Sequence, residues 1–217
     1  MDVIIFGCGN IAELAYYYLR DDSNYNVVAF TQNKEFITSN TYLGLPVVAF
    51  EDMTAIYSPQ LYYMFAPISA RQLNKFREKI YIEGKQKGYR FISYISSRAV
   101  CLTKEIGDNC FILENNVIQH RVTIGNNCVL WSGNHIGHHS TVKDNVFITS
   151  HVVISGVCTV GEYSYLGINS SIKDTSIIAP NSVIGISSCV TKNTESYNIY
   201  IGCPAKILKK CDDTIVL

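Results

Sequence analysis

The sequence lacks an excess of charge of either sign, because its 217 residues include 18 Lys and Arg and 18 Asp and Glu. Proteins that bind nucleic acid or an anionic membrane mainly through charge usually carry a clear positive excess. We therefore expect neither nucleic acid nor a membrane as a partner of this chain.

Long apolar runs are also lacking. The opening run Val3-Ile4-Ile5-Phe6 is too short for a secretory signal peptide and ends at Gly7, and no later run approaches the length of a membrane span. We expect a cytoplasmic protein. Hydrophobic residues make up 47% of the chain, which is enough for a sizeable core in one large domain or two small ones.

Cysteine pairs with the spacing of a zinc site are absent, although the chain contains eight cysteines. Cys110, Cys128 and Cys158 fall at positions of the repeat described next, where a small apolar side chain is required, and a thiol serves there as a filler. We predict no metal.

A period of six residues dominates the chain between positions 106 and 190. An aliphatic residue recurs at Ile106, Ile112, Ile118, Ile124, Leu130, Ile136, Val142, Ile148, Ile154, Val160, Leu166, Ile172, Ile178, Ile184 and Val190. Four residues after each, a second column is mostly small: Cys110, Val122, Cys128, Ser140, Val146, Val152, Cys158, Ser164, Ser170, Ser176, Ser182 and Ser188, with Asn116 and Asn134 as exceptions. Neither a helix nor a plain strand has this period, and we predict that both columns point inward.

A fixed short period is typical of a parallel β-helix, in which each repeat buries its apolar side by stacking on its neighbours. Six residues form one flat face and three faces close a triangular coil. Residues eighteen apart in sequence should then lie one above the other, about 4.8 Å apart. A glycine follows the aliphatic residue at 107, 125, 137, 161, 167 and 185. We expect these glycines to relax the turns through their dihedral freedom.

The first part of the chain predicts an α/β unit. Residues 2–6 form an apolar strand, a turn follows at Gly7-Cys8-Gly9-Asn10, and apolar residues then recur at helical spacing. Such a glycine turn lets backbone amides approach a phosphate at a helix N-terminus. The alternative, a tight turn that binds nothing, stays open. Ala12 replaces the third glycine of a dinucleotide motif, and the second strand, 25–30, ends at Thr31-Gln32 without the acidic residue typical of NAD enzymes.

Further strands are expected at 44–48, 61–67 and 91–95, with a helix over 69–87 that buries Leu73, Phe76 and Ile80. Residues 1–95 would then form a half-Rossmann domain, too short for a full dinucleotide fold. Residues 96–217 would form the β-helix. We expect its prism to start at Val100 and its open end to be capped by Ile199, Ile201, Ile207 and Leu208.

This two-part layout resembles the nucleotide-sugar acetyltransferases of the hexapeptide-repeat acyltransferase family, which includes the bacillosamine and sialic acid acetyltransferases of bacterial glycan pathways. The resemblance covers essentially the whole chain. Besides the repeat, the segments that carry it are Gly137-His138-His139-Ser140 with Gly156 eighteen residues later, Leu166-Gly167-Ile168-Asn169-Ser170, and Gly202-Cys203-Pro204-Ala205-Lys206.

The resemblance implies a left-handed β-helix and an acetyl-CoA-dependent N-acetyltransferase that acts on a nucleotide-linked amino sugar in bacterial surface glycan biosynthesis. It implies that His138 is the general base and that the Gly156 amide binds the thioester carbonyl. The implied CoA contacts are Gly156, Asn169, Lys173 and Lys192, and the implied sugar-nucleotide contacts are Gly7, Gly9, Asn10 and Thr31.

One departure from the family concerns the neighbour of the base. The family has an acidic residue there that orients the imidazole, and this chain has His139, which we keep as a catalytic candidate. Glu114, Asp144 or a backbone carbonyl could orient His138 instead. The spacing of eighteen places the base in a column with other residues: His120, His138, Gly156, Asp174 and Lys192.

Three other functions remain as alternatives. An O-acetyltransferase of the same fold would use a sugar hydroxyl as the nucleophile, and a scaffold that binds a sugar nucleotide would have no activity. A zinc lyase of the γ-carbonic anhydrase type needs three converging histidines, but its H-x4-H pair is absent from this sequence. His120, His135 and His151 are more simply explained as surface or interface residues.

We also predict a homotrimer. Phe111, Trp131, Phe147 and Tyr165 fall at outward or corner positions of the predicted prism, and three prisms packed side by side would bury them. The alternative is that these aromatic side chains pack under the N-terminal domain.

Overall fold

The structure is a computed structural model that describes residues 1–212 and 214. The end of the predicted second domain, residues 213 and 215–217, therefore lies outside the described residues. In the described part of the chain, no helix is long and apolar enough to cross a membrane.

A six-stranded sheet with three α-helices and one 3-10 helix forms the N-terminal domain. Its elements are β1 (Asp2–Phe6), α1 (Asn10–Asp21), β2 (Asn26–Gln32), the 3-10 helix Lys34–Phe36, β3 (Thr41–Tyr42), β4 (Leu45–Ala49), α2 (Met53–Ile56), β5 (Tyr63–Phe65), α3 (Lys75–Gln86) and β6 (Arg90–Phe91). The strand order is β3-β4-β2-β1-β5-β6, and only the β3–β4 pair is antiparallel. Val3, Ile4 and Ile5 are fully buried at its centre. Parallel strands with crossover helices are the predicted half-Rossmann arrangement.

Helix α3 begins at Lys75, six residues later than the sequence predicts. Gln72, Leu73 and Asn74 have positive φ values of 54°, 47° and 68°, which no α-helix accommodates. Leu73 is buried as expected, but it packs against Val183 of the second domain rather than on the face of a helix. The segment before Lys75 is therefore not helical, and its Leu73 contacts the other domain instead.

Short strands of two residues build the second domain. They are β7 (Tyr94–Ile95), β8 (Val100–Cys101), β9 (Phe111–Ile112), β10 (Val117–Ile118), β11 (Thr123–Ile124), β12 (Val129–Leu130), β13 (His135–Ile136), β14 (Thr141–Val142), β15 (Phe147–Ile148), β16 (Val153–Ile154), β17 (Thr159–Val160), β18 (Tyr165–Leu166), β19 (Ser171–Ile172), β20 (Ile177–Ile178), β21 (Val183–Ile184) and β22 (Cys189–Val190). From Phe111 onward, paired strands are eighteen residues apart, as in His135 opposite Val153. The predicted rule of eighteen is confirmed for these coils.

Three parallel faces enclose the core of this β-helix. The domain face contains β7, β9, β12, β15, β18 and β21; the β13 face contains β8, β10, β13, β16, β19 and β22; and the β14 face contains β11, β14, β17 and β20. Both predicted columns are buried inside, apart from Ile106, which is partly buried.

The glycines that follow the aliphatic column were expected to relax the turns by their dihedral freedom, but the structure shows a different reason for them. None of them has a positive φ, but a Cβ on Gly137 would lie 2.6 Å from the Gly156 nitrogen of the next coil. Glycine is needed there because two backbones meet closely.

The left-handed conformation occurs two residues after those glycine positions and recurs every sixth residue. The residues with a positive φ are Asn109, Asn115, Arg121, Asn127, Gly133, His139, Asn145, His151, Val157, Tyr163, Asn169, Thr175, Asn181 and Ser187. Asparagine is common among them because its short polar side chain tolerates this conformation. His139, His151 and Asn169 therefore occupy structural turn positions.

The β-helix begins slightly earlier than predicted and with an irregular first coil. Strand β7 pairs with β9, so the first strand of the domain face precedes residue 96. In β8, Cys101 is opposite Ile118, whereas Val100 is 53% exposed. The prism column therefore starts at Cys101 and not at Val100, because the first coil is one residue shorter.

The aromatic side chains of the domain face pack under the N-terminal domain. Phe111 and Phe147 are buried in one cluster with residues of β1, α1 and β5, and Trp131 and Tyr165 pack against that cluster. The alternative explanation is the one observed, so these aromatic residues do not support a trimer.

Arg77 of α3 holds the two domains together. It is fully buried and donates to the carbonyl oxygens of Asn127, at 3.1 and 2.8 Å, and Val146, at 3.3 Å. Burial lowers the pKa of its guanidinium to about 10. The helical pattern gave no sign of this role, because it depends on which carbonyl oxygens the other domain presents.

A hairpin of β23 (Asn198–Ile201) and β24 (Lys206–Lys210) covers the end of the prism. Tyr200 is buried in the prism core and Ala205 packs against it, whereas Ile207 and Leu208 are exposed. A cap was predicted, but the residues that fill it are Tyr200 and Ala205, because alternation along β23 turns Tyr200 inward.

Candidate active site

Residues of successive coils meet at one edge of the prism, which we call the His138 corner and define by His120, His138, Gly156 and Asp174. The amide of Val157 donates to the carbonyl oxygen of His138 at 2.8 Å, and the Thr175 amide donates to that of Gly156 at 3.0 Å. The backbone ladder thus holds successive coils in register, as the spacing predicts.

The imidazole of His138 lies against Gly156. A Cβ added to Gly156 would lie 2.8 Å from both Cε1 and Nε2 of His138. Real Cβ atoms do not approach other atoms so closely, so only glycine leaves room for the ring. The sequence prediction that these two residues face each other agrees with this contact.

The amide of Gly156 has no acceptor within hydrogen-bonding distance among residues 1–212 and 214. Some amides at the same position of other coils bind side chains, as Asp108 binds Asn126 and His138 binds Gln119 at 2.8 Å. Others, such as those of His120 and Asp174, resemble Gly156 in having no acceptor in the described residues. What distinguishes Gly156 is that its N–H donor lies next to an imidazole, a pair that can bind an oxyanion and accept a proton.

The second ring nitrogen of His138, Nδ1, lies within hydrogen-bonding distance of His139. Nδ1 of His138 is 3.0 Å from Nδ1 of His139, and the two ring planes are 87° apart. Both side chains are exposed. The His139 amide donates to the His120 carbonyl oxygen at 3.3 Å, which fixes the backbone from which the second ring projects.

The two carboxylates considered as partners of His138 have other roles. Glu114 accepts hydrogen bonds from Tyr18 of α1 at 2.6 Å and from Ser132 at 2.7 Å. Asp144 accepts from the Asn126 amide at 2.7 Å. Both residues lie on other edges of the prism, so the only side chain in the described structure that is bonded to the His138 ring is His139.

The predicted CoA contacts are divided between two edges. Lys173 and Lys192 are exposed, and neither forms an ion pair within the described part of the chain. Lys192 belongs to the His138 corner by register, and Lys173 precedes Asp174 there. Asn169 lies at another edge, where its amide donates to the Ser150 carbonyl oxygen at 3.1 Å.

A cleft of about 500 Å³ lies at the N-terminal end of α1, lined by Gly7, Gly9 and Asn10. Gly7 needs its glycine because its φ is +106°. Thr31, predicted as a substrate contact, is fully buried and its hydroxyl donates to the Val48 carbonyl oxygen at 3.0 Å, so its side chain does not line the cleft. The next residue, Gln32, reaches the cleft, because successive strand residues point to opposite sides.

The sequence analysis missed Arg71 at this cleft. Arg71 is exposed, lines the cleft and has no hydrogen-bond or ion-pair partner in the described residues. It follows the strand that ends at Phe65, so a basic residue just after a central strand was the available signal. The cleft combines a free guanidinium with a helix N-terminus, two features that favour an anionic ligand.

Within the described residues, no group of three or more His, Cys, Asp or Glu side chains is arranged to bind a metal ion. Among the residues that the structure describes, the cysteines form no disulfide bond.

One segment of the chain matches the model of a known protein family. Residues 103–137 match the bacterial transferase hexapeptide family, described as six repeats. No curated protein matches the sequence significantly.

Solved structures match nearly the whole chain. PerB from Caulobacter crescentus, in complex with CoA and GDP-perosamine, aligns with a TM-score of 0.85 at 21% identity over 96% of this chain and 98% of its own. The acetyltransferase domain of PglB from Neisseria gonorrhoeae FA1090, in complex with acetyl coenzyme A, aligns with a TM-score of 0.82 at 17% identity over 95% and 98%. WeeI from Acinetobacter baumannii AYE aligns at 0.82 and 18% identity over 96% and 100%.

These matches confirm the predicted fold class, an α/β half-Rossmann domain followed by a left-handed parallel β-helix. The resemblance inferred from the sequence therefore extends to the whole fold, and the chain shares its fold with PerB and with the acetyltransferase domain of PglB.

Proposed function

We propose that the chain is an acetyl-CoA-dependent N-acetyltransferase whose substrate is a nucleotide-linked amino sugar. The observation that carries this proposal is the contact of the His138 imidazole with Gly156, whose amide has no acceptor in the described part of the chain. The fold supports it, since PerB was solved with CoA and GDP-perosamine, and the PglB domain with acetyl coenzyme A.

The reaction needs two groups at this corner. The sugar amine attacks the thioester carbonyl carbon while Nε2 of His138 accepts a proton from the nitrogen. The carbonyl oxygen gains negative charge, which the Gly156 amide stabilises by donating a hydrogen bond. The tetrahedral intermediate then collapses, the C–S bond breaks, and the CoA thiolate leaves and takes up the proton. Lys173 and Lys192 would hold the phosphates of CoA.

The cleft at α1 would bind the nucleotide of the sugar substrate. Its phosphates would meet the amides of Gly9 and Asn10 and the guanidinium of Arg71. Nothing lies within 4 Å of a Cβ added to Gly9, so Gly9→Val should protrude into the cleft without disturbing the fold. This variant should raise KM for the sugar nucleotide and leave KM for acetyl-CoA unchanged. Equal effects on both substrates would show that the turn is only structural.

We also propose a homotrimer, with CoA bound between neighbouring prisms. The support is a row of side chains on the outside of the β13 face, where Val100 and Val153 are 53% and 44% exposed and the partly buried Val117 and His135 lie between them. The N-terminal domain covers a different face, and the apolar side chains exposed in this row favour burial by another subunit. A monomeric mass in light scattering at micromolar concentration would exclude this assembly. The lack of disulfide bonds among the described cysteines agrees with a reducing cytoplasm, where we place the enzyme and its role in bacterial surface glycan synthesis.

The test is turnover of acetyl-CoA with a panel of nucleotide-linked sugars that carry an amine or only hydroxyl groups. Release of CoA thiol with the amino sugars, and an amide in the product by mass spectrometry, are expected. Turnover with the hydroxyl-only sugars would instead establish the O-acetyltransferase. Binding of sugar nucleotides without any turnover would establish a scaffold.

A further inference from the structure

The two ring nitrogens of His138 face different partners. Nε2 lies against Gly156, where an acetyl group and an amine would meet in the proposed reaction. Nδ1 is 3.0 Å from Nδ1 of His139. An imidazole can accept a proton at Nε2 only if its own proton is on Nδ1. The group opposite Nδ1 therefore decides whether His138 can act as a base.

The backbone fixes the position of His139. Its φ of 59° belongs to the left-handed position that recurs in every coil, and its amide is held by the His120 carbonyl oxygen. The ring stands perpendicular to that of His138, with centroids 5.2 Å apart, so that the two Nδ1 atoms meet. The turn itself, rather than packing, thus presents the second imidazole to the first.

We propose that His139 is a positioning residue, an inference that rests on the proposed function. Neutral His139 accepts a hydrogen bond at Nδ1 and so holds the proton of His138 on Nδ1, which leaves the lone pair of Nε2 free. Once protonated, His139 can only donate. It then bonds to an unprotonated Nδ1 of His138, whose proton moves to Nε2, and the base is blocked.

A neutral partner has a further consequence. A carboxylate would stabilise the imidazolium that forms during the reaction, whereas a neutral imidazole stabilises it less. Replacement of the neutral partner by a carboxylate should therefore move the acid limb of kcat/KM to higher pH. The other charged or titratable residues of this corner are His120, Arg121, Asp174, Lys173 and Lys192, and they stay the same in all variants compared below.

The test compares four variants by kcat, by KM for both substrates and by the pH profile of kcat/KM. His139→Phe keeps a ring and removes both nitrogens, so kcat should fall roughly 10- to 100-fold with KM unchanged, the usual cost of losing such a partner. His139→Asn suits the left-handed turn and retains an acceptor oxygen, so most of the activity should remain. His139→Asp should move the acid limb to higher pH by about one unit or more. His151→Asp changes a histidine at an equivalent left-handed position and should not move the limb.

A readout without turnover is the nitrogen-15 spectrum of the imidazoles. In the wild-type protein above the acid limb, His138 should carry its proton on Nδ1, and in His139→Phe the proton should shift toward Nε2. Wild-type kcat and pH profile in His139→Phe, or an unchanged limb in an active His139→Asp, would overturn the proposal. If the wild-type protein acetylates nothing, the proposed function fails, and the spectrum alone still decides whether His139 sets the tautomer.

Discussion

Two edges of the same prism hold a histidine against a glycine. At the His138 corner, the ring lies against Gly156 of the following coil; at a second edge, the ring of His151 lies against Gly133 of the preceding coil, with Nδ1 2.6 Å from an added Cβ. The amide of Gly156 is free within the described structure, whereas that of Gly133 donates to the Glu114 carbonyl oxygen at 3.0 Å.

The difference shows that an imidazole beside a glycine is not enough for a site. At the second edge the glycine serves a left-handed turn, with a φ of +80°, and its donor is used by the backbone ladder. Helix α1 also covers this edge, because Tyr18 donates to Glu114 at 2.6 Å. At the His138 corner the donor has no acceptor in the described structure, and for this reason we propose the site there.

Removal of each histidine gives the largest expected difference between the two edges. His138→Ala should lower kcat by about two to four orders of magnitude, the usual range for loss of a general base. His151→Ala should lower it far less. Both are measured by thiol release at saturating substrates, with circular dichroism to confirm folding. Wild-type turnover of His138→Ala at neutral pH would contradict the proposed difference between the two edges. Loss of activity in His139→Ala alone would move the base assignment by one residue.

Replacement of Gly156 by alanine should lower kcat nearly as much as His138→Ala does. In Gly156→Ala the new Cβ would lie 2.8 Å from the His138 ring and push it away from the free amide. We expect kcat to fall about 100-fold or more, as for loss of one oxyanion donor. The melting temperature should change little because the ring is exposed and can move. Wild-type kcat in this variant would show that the contact is not used.

The same change at the second edge should affect stability instead. Gly133→Ala places a side chain at a φ of +80° and within 2.6 Å of His151. The left-handed strain costs about 1–2 kcal/mol of unfolding free energy. Urea unfolding should show this loss while kcat of the folded protein stays close to wild type. A large fall in kcat without loss of stability would mean that this edge also contributes to the site.

The smallest expected effect is at the cover of the second edge. Tyr18→Phe removes one partly buried hydrogen bond to Glu114 and should cost about 1 kcal/mol. Burial and the Glu114 carboxylate raise the pKa of Tyr18 to about 12, so the phenol stays a donor through the neutral range. The loss of unfolding free energy caused by Tyr18→Phe should therefore be the same between pH 6 and pH 9, as measured by urea unfolding. The kcat of the variant should equal that of the wild type. A cost that disappears at pH 9 would contradict this.

The parts of the site that follow from the repeat were predictable. Because register is exact at eighteen residues, His138 and Gly156 could be placed together before any coordinates were known. The glycine turn at Gly7 and Gly9 was found in the same way. The side chain of Thr31 points away from the cleft, because the sheet determines which residues of β2 face it. Arg71 was missed because the segment before α3 was predicted as a helix.

The sequence by itself determined the parallel β-helix, its inward columns and the half-Rossmann opening, because each depends on local periods and short turns that the chain repeats or displays within a few residues. Only the tertiary structure decided what packs on the outside of the prism. The N-terminal domain buries Phe111 and Phe147, and Arg77 reaches carbonyl oxygens fifty and more residues away. Likewise, the partner of His138 is set by the direction in which a left-handed turn projects a side chain, and composition and spacing carry no information about that direction.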